Sequence, residues 1–255
     1  MAIVYGPVSS WRLGRSLGVD PICQRGKICS FDCIYCSLGP TTEKTVERRI
    51  FVTEDQVARA LRQAIKKVEA DVVTFSGTGE PTLAKNLGEL IETAREISGL
   101  PVAVLTNSSL QSRREVRDDL AKADVVKGKL DVFNDQLFQT INRPHRSLSF
   151  QEIVKGLKKF RAGFRGSFQL EVMLVPENLG FSREIAEIVR SIGPDEVQLN
   201  TPLRPSPVRP LTPQELERVQ SDFEGMKLRS VYLAAKPKVG SMVGKDKVRR
   251  LKRPD

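Results

Sequence analysis

Apolar residues recur every three or four positions along 54–69, EDQVARALRQAIKKVE, at Val57, Leu61, Ile65 and Val68. That spacing predicts an amphipathic helix with one buried face. The period then changes: DVVTFSG at 71–77 is a short, β-branched apolar run ending in glycine, the pattern of a buried strand. The alternation repeats, predicting helices over 86–98, 112–121, 149–161, 181–191 and 212–224, and strands over 101–106, 124–130, 167–175 and 195–200. One more strand is expected near 16–20. Strands alternating with helices imply right-handed crossovers and a parallel sheet. With about six βα units, fewer than the eight of a closed barrel, the expected fold is α/β, a partial (β/α)6 barrel of parallel strands. It fills residues 1–225, and 226–255 form a short C-terminal strand and tail.

In parallel α/β structures chemistry gathers where strands end, and the polar segments of this chain fall at those points. SGTGEPT (76–82), TNSS (106–109), KLDVFND (129–135) and QLNTP (198–202) all end or follow predicted strands, so one mouth is expected to collect them. RPSPVRPLTP (204–213) reads as an extended proline-rich linker, with Arg204 and Arg209 as candidate anion contacts.

Cysteine sharpens the picture. Three of the four cysteines lie in KICSFDCIYCSLG (27–39), at Cys29, Cys33 and Cys36. A chain of 255 residues buries a full core without crosslinks, so a disulfide scaffold is disfavoured. The C-x3-C-x2-C spacing leaves a tetrahedral zinc site one ligand short. A four-iron cluster held by three thiolates instead keeps one iron open. Cys23 is an alternative fourth ligand that would close the site, giving a zinc knuckle or an electron-transfer cluster. His145, in NRPHRS, reads as a surface residue or a phosphate or substrate contact.

Charge adds a partner class. Lys and Arg number 41 against 31 Asp and Glu, a net charge of +10, and residues 236–255 hold 8 basic against 2 acidic residues. Such a tail can bind RNA by releasing counterions, although it lacks aromatic stacking partners. No window approaches a membrane span, and the first twenty residues lack a basic head followed by a long apolar run; the expectation is a soluble, cytoplasmic protein with no membrane contact. No heptad or repeat signal appears, so a monomer is expected.

The C-x3-C-x2-C loop, with Tyr35 before its last cysteine, resembles the signature of the radical S-adenosylmethionine (SAM) superfamily. YGPVSSWRLGRSLGVDPI, SGTGEPTL, KLDVFNDQLFQTINRPH and VQLNTPLRP make the likeness sharper, toward the group related to tRNA wyosine-base synthases, over roughly residues 5–205. The resemblance implies a TIM-barrel-like fold and a [4Fe–4S] cluster on Cys29, Cys33 and Cys36. It also implies SAM as cosubstrate, an external one-electron donor, and reductive cleavage of SAM to methionine and a 5'-deoxyadenosyl radical. Tyr35 would flank the adenine, and Gly77 and Gly79 with Thr78 would bring backbone close to the ligand. Glu80 would accept from the SAM ammonium, Asn107, Lys129 and Asp131 would meet ribose hydroxyls or carboxylate, and Gln198 and Asn200 the adenine edge. The chain departs from the wyosine synthases in having only Cys23 upstream of the loop, one thiol where a second cluster needs several. tRNA modification is therefore one expectation, and a radical SAM maturase acting on a protein or small metabolite is another. The remaining alternative is a non-catalytic nucleic-acid-binding protein with zinc or a closed cluster.

Overall fold

The computed structural model describes residues 2–235, 237–240 and 243. In chain order the strands are β1 (Val4–Ser10), β2 (Gly14–Val19), β3 (Ile28–Cys29), β4 (Glu43–Lys44), β5 (Val72–Phe75), β6 (Val102–Leu105), β7 (Val125–Lys129), β8 (Ser167–Met173), β9 (Glu196–Asn200) and β10 (Leu228–Ser230). The helices are α1 (Glu54–Ile65), α2 (Leu87–Ser98), α3 (Arg114–Leu120), α4 (Asp135–Leu137), α5 (Phe150–Gly163), α6 (Pro176–Leu179), α7 (Ser182–Ile192) and α8 (Pro213–Arg218).

Eight strands form one curled sheet in the order β1-β2-β5-β6-β7-β8-β9-β10. Every neighbouring pair from β2 to β10 is parallel. The six expected βα units are present, and β10 adds a seventh parallel strand beside β9. The antiparallel β1 has no counterpart in the predicted pattern, because Gly6 and Pro7 break its alternation and its register shifts between Tyr5 and Val8. Side chains close part of the open side: Arg12, in the β1–β2 turn, ion-pairs with Glu171 of β8, and Arg229 of β10 donates to the Trp11 carbonyl at 3.3 Å. The half-barrel thus curls toward closure without an eighth parallel strand.

Helix ends follow local chemistry. Thr53 caps α1, its hydroxyl accepting from Gln56 N while the Gln56 side chain accepts from Thr53 N. The apolar stripe runs on to Val68, but the helix ends at Ile65 and Val68 reaches the core from the turn that follows. Thr212 and Glu215 make the same reciprocal cap on α8, which gives way to a 3-10 turn at Gln220–Phe223 instead of continuing to 224. Of the basic segment 236–255, only 237–240 and Val243 are among the described residues. There Pro237 accepts from the Ser9 hydroxyl and Val243 pairs with Gly6 on the outer edge of β1.

Strand alternation sorts the two faces. On β8, Phe168, Leu170 and Val172 are fully buried. They alternate with Gln169, Glu171 and Met173, whose register partners Lys127, Lys129, Glu196, Gln198 and Asn200 share their face. Inside the barrel Gln198 Nε2 donates to Gln169 and Glu196, both at 2.8 Å. Lys127 is 3% exposed, and its ammonium has no hydrogen-bond partner among the described residues.

That lysine makes a stability prediction. Burial, then the nearby Arg12 charge, pushes Lys127 from 10.5 down to about 6, against the pull of Glu196. Between those values the unfolded chain holds a proton that the native state sheds, so the residue opposes folding at neutral pH and the penalty fades as pH rises toward 10.5. Lys127→Met is expected to stabilise by about 1–4 kcal/mol at neutral pH, with the gain shrinking in alkali. Thermal unfolding at neutral and alkaline pH checks this; a methionine variant no more stable than wild type at neutral pH would contradict it.

Candidate active site at the barrel mouth

The cysteine loop is clamped from two sides. After β2 the chain reaches Asp20, 2% exposed, whose carboxylate accepts from Ile22 N (3.0 Å) and Cys23 N (2.9 Å), and from Thr78 N (3.0 Å) and Thr78 Oγ1 (2.8 Å). One buried side chain therefore joins the start of the loop to the SGTGEPT segment. Burial raises the Asp20 pKa, and its four donors oppose that rise. Further on, Ile28 N donates to Thr78 O at 3.2 Å and Glu80 N to Ile28 O at 3.1 Å. Gly79 lies directly under Ile28, where a Cβ would run into the Ile28 carbonyl, and a Cβ on Gly77 would run into Asp20. Both glycines thus permit chain-on-chain contact within the protein.

On the other side the loop pairs with 141–145. Asp32 N donates to Asn142 O (2.9 Å), Ile34 N to Ile141 O (3.0 Å) and His145 N to Ser30 O (2.8 Å). The His145 ring turns to Ser147 Oγ at 2.9 Å, so the backbone of this residue serves the loop while its side chain faces outward. Cys23 adopts a left-handed backbone (φ 44) and is partly buried.

Each of the other three thiols meets a different partner. Asn107 Nδ2 donates to Cys29 Sγ at 3.5 Å and to Ser30 Oγ at 2.9 Å. Asn142 Nδ2 donates to Cys33 Sγ at 3.5 Å. The Lys27 ammonium lies against Cys36 with Cys29 and Cys33 also in its field, and donates to Gly39 O at 3.3 Å. Burial pushes Cys29 up to about 12 and raises Cys33 as well. Lys27, 7% exposed, is lowered by burial, but the thiols, Cys36 foremost, outweigh this and raise it overall. Among the described residues no three His, Cys, Asp or Glu side chains converge to hold a single metal ion. Three soft sulfurs set apart, each beside its own polar hydrogen, suit a polynuclear group in which each thiolate takes a separate iron and hydrogen bonds to sulfur tune it.

Behind the loop is a buried network. The Tyr35 hydroxyl donates to Asp131, which also accepts from Asn142 Nδ2 (3.0 Å) and, through its other oxygen, from Met173 N (2.8 Å). Asn178 ties the Asp131 and Met173 carbonyls together. The Lys129 ammonium lies 4.8 Å from the Tyr35 ring centroid, 3.7 Å from Asp131 and 3.3 Å from Glu171. Burial, then the Asp131 charge, holds the Tyr35 phenol well above its ordinary range, so it remains a donor. Glu80 is enclosed too: Oε1 accepts from Thr82 N, Thr82 Oγ1 and Thr106 Oγ1, and Oε2 from Asn107 N at 2.7 Å. Burial raises its pKa against those bonds.

A cavity of about 540 Å³ opens beside Cys36. Of the residues expected to meet ligand, Tyr35, Gly77 and Asn200 line it, as does Arg204 of the proline-rich linker. Asn107, Lys129 and Asp131 line a second, much smaller cavity, Thr78 and Glu80 are buried, Gly79 sits under Ile28, and Gln198 is fully buried within the barrel. Arg209 instead makes a two-pronged ion pair with Glu215 on the surface. Pattern reading missed Lys27, Arg12, Glu171 and Asn142. Of these, Asn142 carried a signal in the sequence, inside the NRPH segment that pairs with the loop.

Comparison with known proteins agrees with this geometry. The family model described as the radical SAM superfamily matches residues 24–193, which include Cys29, Cys33 and Cys36. A UPF0026 protein of Synechocystis is 43% identical over 210 residues, covering 81% of this chain and 77% of that protein. A UPF0026 protein of Methanocaldococcus jannaschii is 34% identical over 259 residues, 98% of this chain and 75% of the relative. In fold, the chain superposes with a TM-score of 0.64 at 16% identity on Streptococcus suis SuiB bound to S-adenosylmethionine, over 86% of this chain. It spans half the length of that structure. No helix among the described residues is long and apolar enough to cross a membrane. The chain belongs to the radical SAM superfamily, with the UPF0026 proteins as relatives, and is an enzyme of the class that uses a [4Fe–4S] cluster and SAM.

Proposed function

We propose that Cys29, Cys33 and Cys36 hold the [4Fe–4S] cluster and that SAM occupies the cavity beside Cys36, against Tyr35, Gly77 and Asn200. The observation carrying this reading is the set of three thiols on one clamped loop, each with a separate polar partner, the last of them, Cys36, on the cavity wall. Held there, the cluster would supply one electron, drawn from an external donor, for reductive cleavage of SAM to methionine and a 5'-deoxyadenosyl radical. The protein's own part is to hold and shield. Asn107, Asn142 and Lys27 offer hydrogen to sulfur, and Asp131 fixes Tyr35 against the loop. The half-barrel wall keeps water from a reactive species that must meet only its substrate. Glu80 and Asp131 act through the loops they position, and Gln198 through the barrel interior.

Metal and sulfide analysis tests the ligand assignment. Wild type reconstituted without oxygen is expected to hold about four iron and four sulfide per chain, and the Cys29→Ala, Cys33→Ala and Cys36→Ala variants far less, while Cys23→Ala matches wild type. One zinc without sulfide, or a Cys23→Ala variant as depleted as the others, would support the closed-site alternative instead. The wyosine-type segments and the +10 charge make tRNA the first substrate to try. Added tRNA should raise 5'-deoxyadenosine formation and nuclease-treated tRNA should not; no rise would turn the search to proteins and small metabolites.

A further inference from the structure

Lys27 is fixed at both ends. Its backbone carbonyl accepts from Thr42 N at 2.9 Å, Thr42 Oγ1 at 2.8 Å and Glu43 N at 3.2 Å, which sets the residue where the chain enters the cysteine loop. The side chain then runs inward, only 6% exposed, and its ammonium donates to Gly39 O at 3.3 Å. That bond closes the loop over twelve residues, with Cys29, Cys33 and Cys36 between its ends. Cys36 hydrogen-bonds the ammonium, and Cys29 and Cys33 lie in its field. Cys36 is also the cysteine on the cavity wall. The nearest carboxylate oxygen, Asp32 Oδ1, is 3.8 Å from the ammonium and already accepts from Thr41 N at 2.8 Å.

Closing a loop onto a carbonyl needs a donor and no charge, and burying an ammonium costs far more than burying an amide. The oxygens around Lys27 offset little of that cost: one carbonyl, and one carboxylate at the outer limit of an ion pair. Its other partners are sulfurs, which carry negative charge as thiolates. Lys27 therefore fits the loop in the state where its cysteines hold iron. The potential of an iron–sulfur cluster follows its net charge and the hydrogen bonds to its sulfurs, and reduction adds one negative charge. A fixed cation beside the sulfurs favours the reduced form over the oxidised one. Asp32 does not cancel this, because a neutral residue at position 27 removes one positive charge from beside the sulfurs whatever Asp32 does.

We infer that Lys27 sets the reduction potential of this site: its buried positive charge, held against the Cys36 sulfur, raises the potential of the [4Fe–4S] cluster and so eases entry of the electron from the external donor. One electron leaves the donor and one enters the iron, with no bond made or broken. The inference rests on the proposed ligand set, Cys29, Cys33 and Cys36, but its readout needs neither SAM nor turnover.

The test is a potentiometric titration of the reconstituted protein without SAM, followed by electron paramagnetic resonance, which reads only chains that hold a reduced cluster. Lys27→Met and Lys27→Gln are each expected to shift the reduction equilibrium toward the oxidised form by about tenfold or more, a midpoint potential lower by about 59 mV for one electron. Lys27→Arg, which keeps the charge, should stay close to wild type. Lys155→Met should as well, since it breaks only a surface pair with Glu152. Unchanged potentials in the two neutral variants would overturn the inference, as would an equal fall in Lys27→Arg or Lys155→Met. A wild-type potential in Lys27→Gln beside a low one in Lys27→Met would also overturn it, by assigning the effect to the hydrogen bond and not to the charge. Neutral variants without iron beside a loaded Lys27→Arg would overturn it too, leaving Lys27 a role in assembling the loop alone. Wild type that gives no reduced-cluster signal would instead defeat the ligand assignment, so the two failures are distinguishable.

Discussion

Gly79→Val is expected to strip the protein of its iron and to destabilise the fold by about 3 kcal/mol or more. Gly79 sits at the bridge between the SGTGEPT segment and β3, and even a Cβ there collides with the Ile28 carbonyl. That carbonyl is backbone and cannot rotate away as a side chain would. The valine must therefore push β3 off the segment and break the hydrogen bonds of Ile28 N and Glu80 N. Cys29, the next residue, moves with it. Urea unfolding and iron content after reconstitution measure the two effects. Gly163→Ala is the control, since nothing lies within 4 Å of a Cβ at that position; alanine should be neutral or slightly stabilising there. Normal stability and iron content in Gly79→Val would show that the loop is not seated as described.

Asp131→Ala is expected to cost about 3–5 kcal/mol, the range for removing one partner of a buried charged network. The carboxylate is 2% exposed and serves the Tyr35 hydroxyl, the Asn142 amide and Met173 N, with the Lys129 ammonium 3.7 Å away. Alanine leaves Met173 N without its acceptor and the buried Tyr35 hydroxyl with only the weakly accepting Cys33 sulfur. Asn142 keeps the Cys33 sulfur as its acceptor but loses the contact that orients it, so reconstitution should also fall. Asp131→Asn retains a carbonyl oxygen and should recover much of the stability. The comparison separates acceptor loss from charge loss: equal destabilisation by asparagine and alanine would assign the role to charge alone, and no effect of either would remove Asp131 from the network.

These expectations depend on features of unequal visibility in the sequence. The alternation of periods was enough for every helix longer than ten residues and for the central strands, because each buries a continuous apolar face. β1 was hidden since a glycine, a proline and a bulge interrupt it. The C-x3-C-x2-C loop was plain because its cysteines are adjacent in the chain. Its supports were not. Asp20, Asn107 and Asn142 lie outside the loop segment and Lys27 at its start, and what makes each informative is a hydrogen bond or field that exists only once the chain has folded. Gly77 and Gly79 were visible as glycines after a strand, but the chain segments they lie against, Asp20 and the Ile28 carbonyl, come from elsewhere in the sequence. Polar residues at strand ends looked equivalent in the sequence, yet register and strand length put Asn200 on the cavity and Gln198 two residues deeper. The neighbourhood of Arg12 and Lys127 was the least visible: Arg12 lies in a turn and Lys127 in an apolar strand, and they come near each other only once the sheet has curled.

The most direct test of the central claim is anaerobic reconstitution with iron and sulfide, reduction with dithionite and addition of SAM, with 5'-deoxyadenosine and methionine quantified beside Cys33→Ala. Wild type is expected to form both products in equal amounts and Cys33→Ala neither. A wild-type sample with its full complement of iron and sulfide that neither binds SAM nor cleaves it, with and without tRNA, would contradict the account.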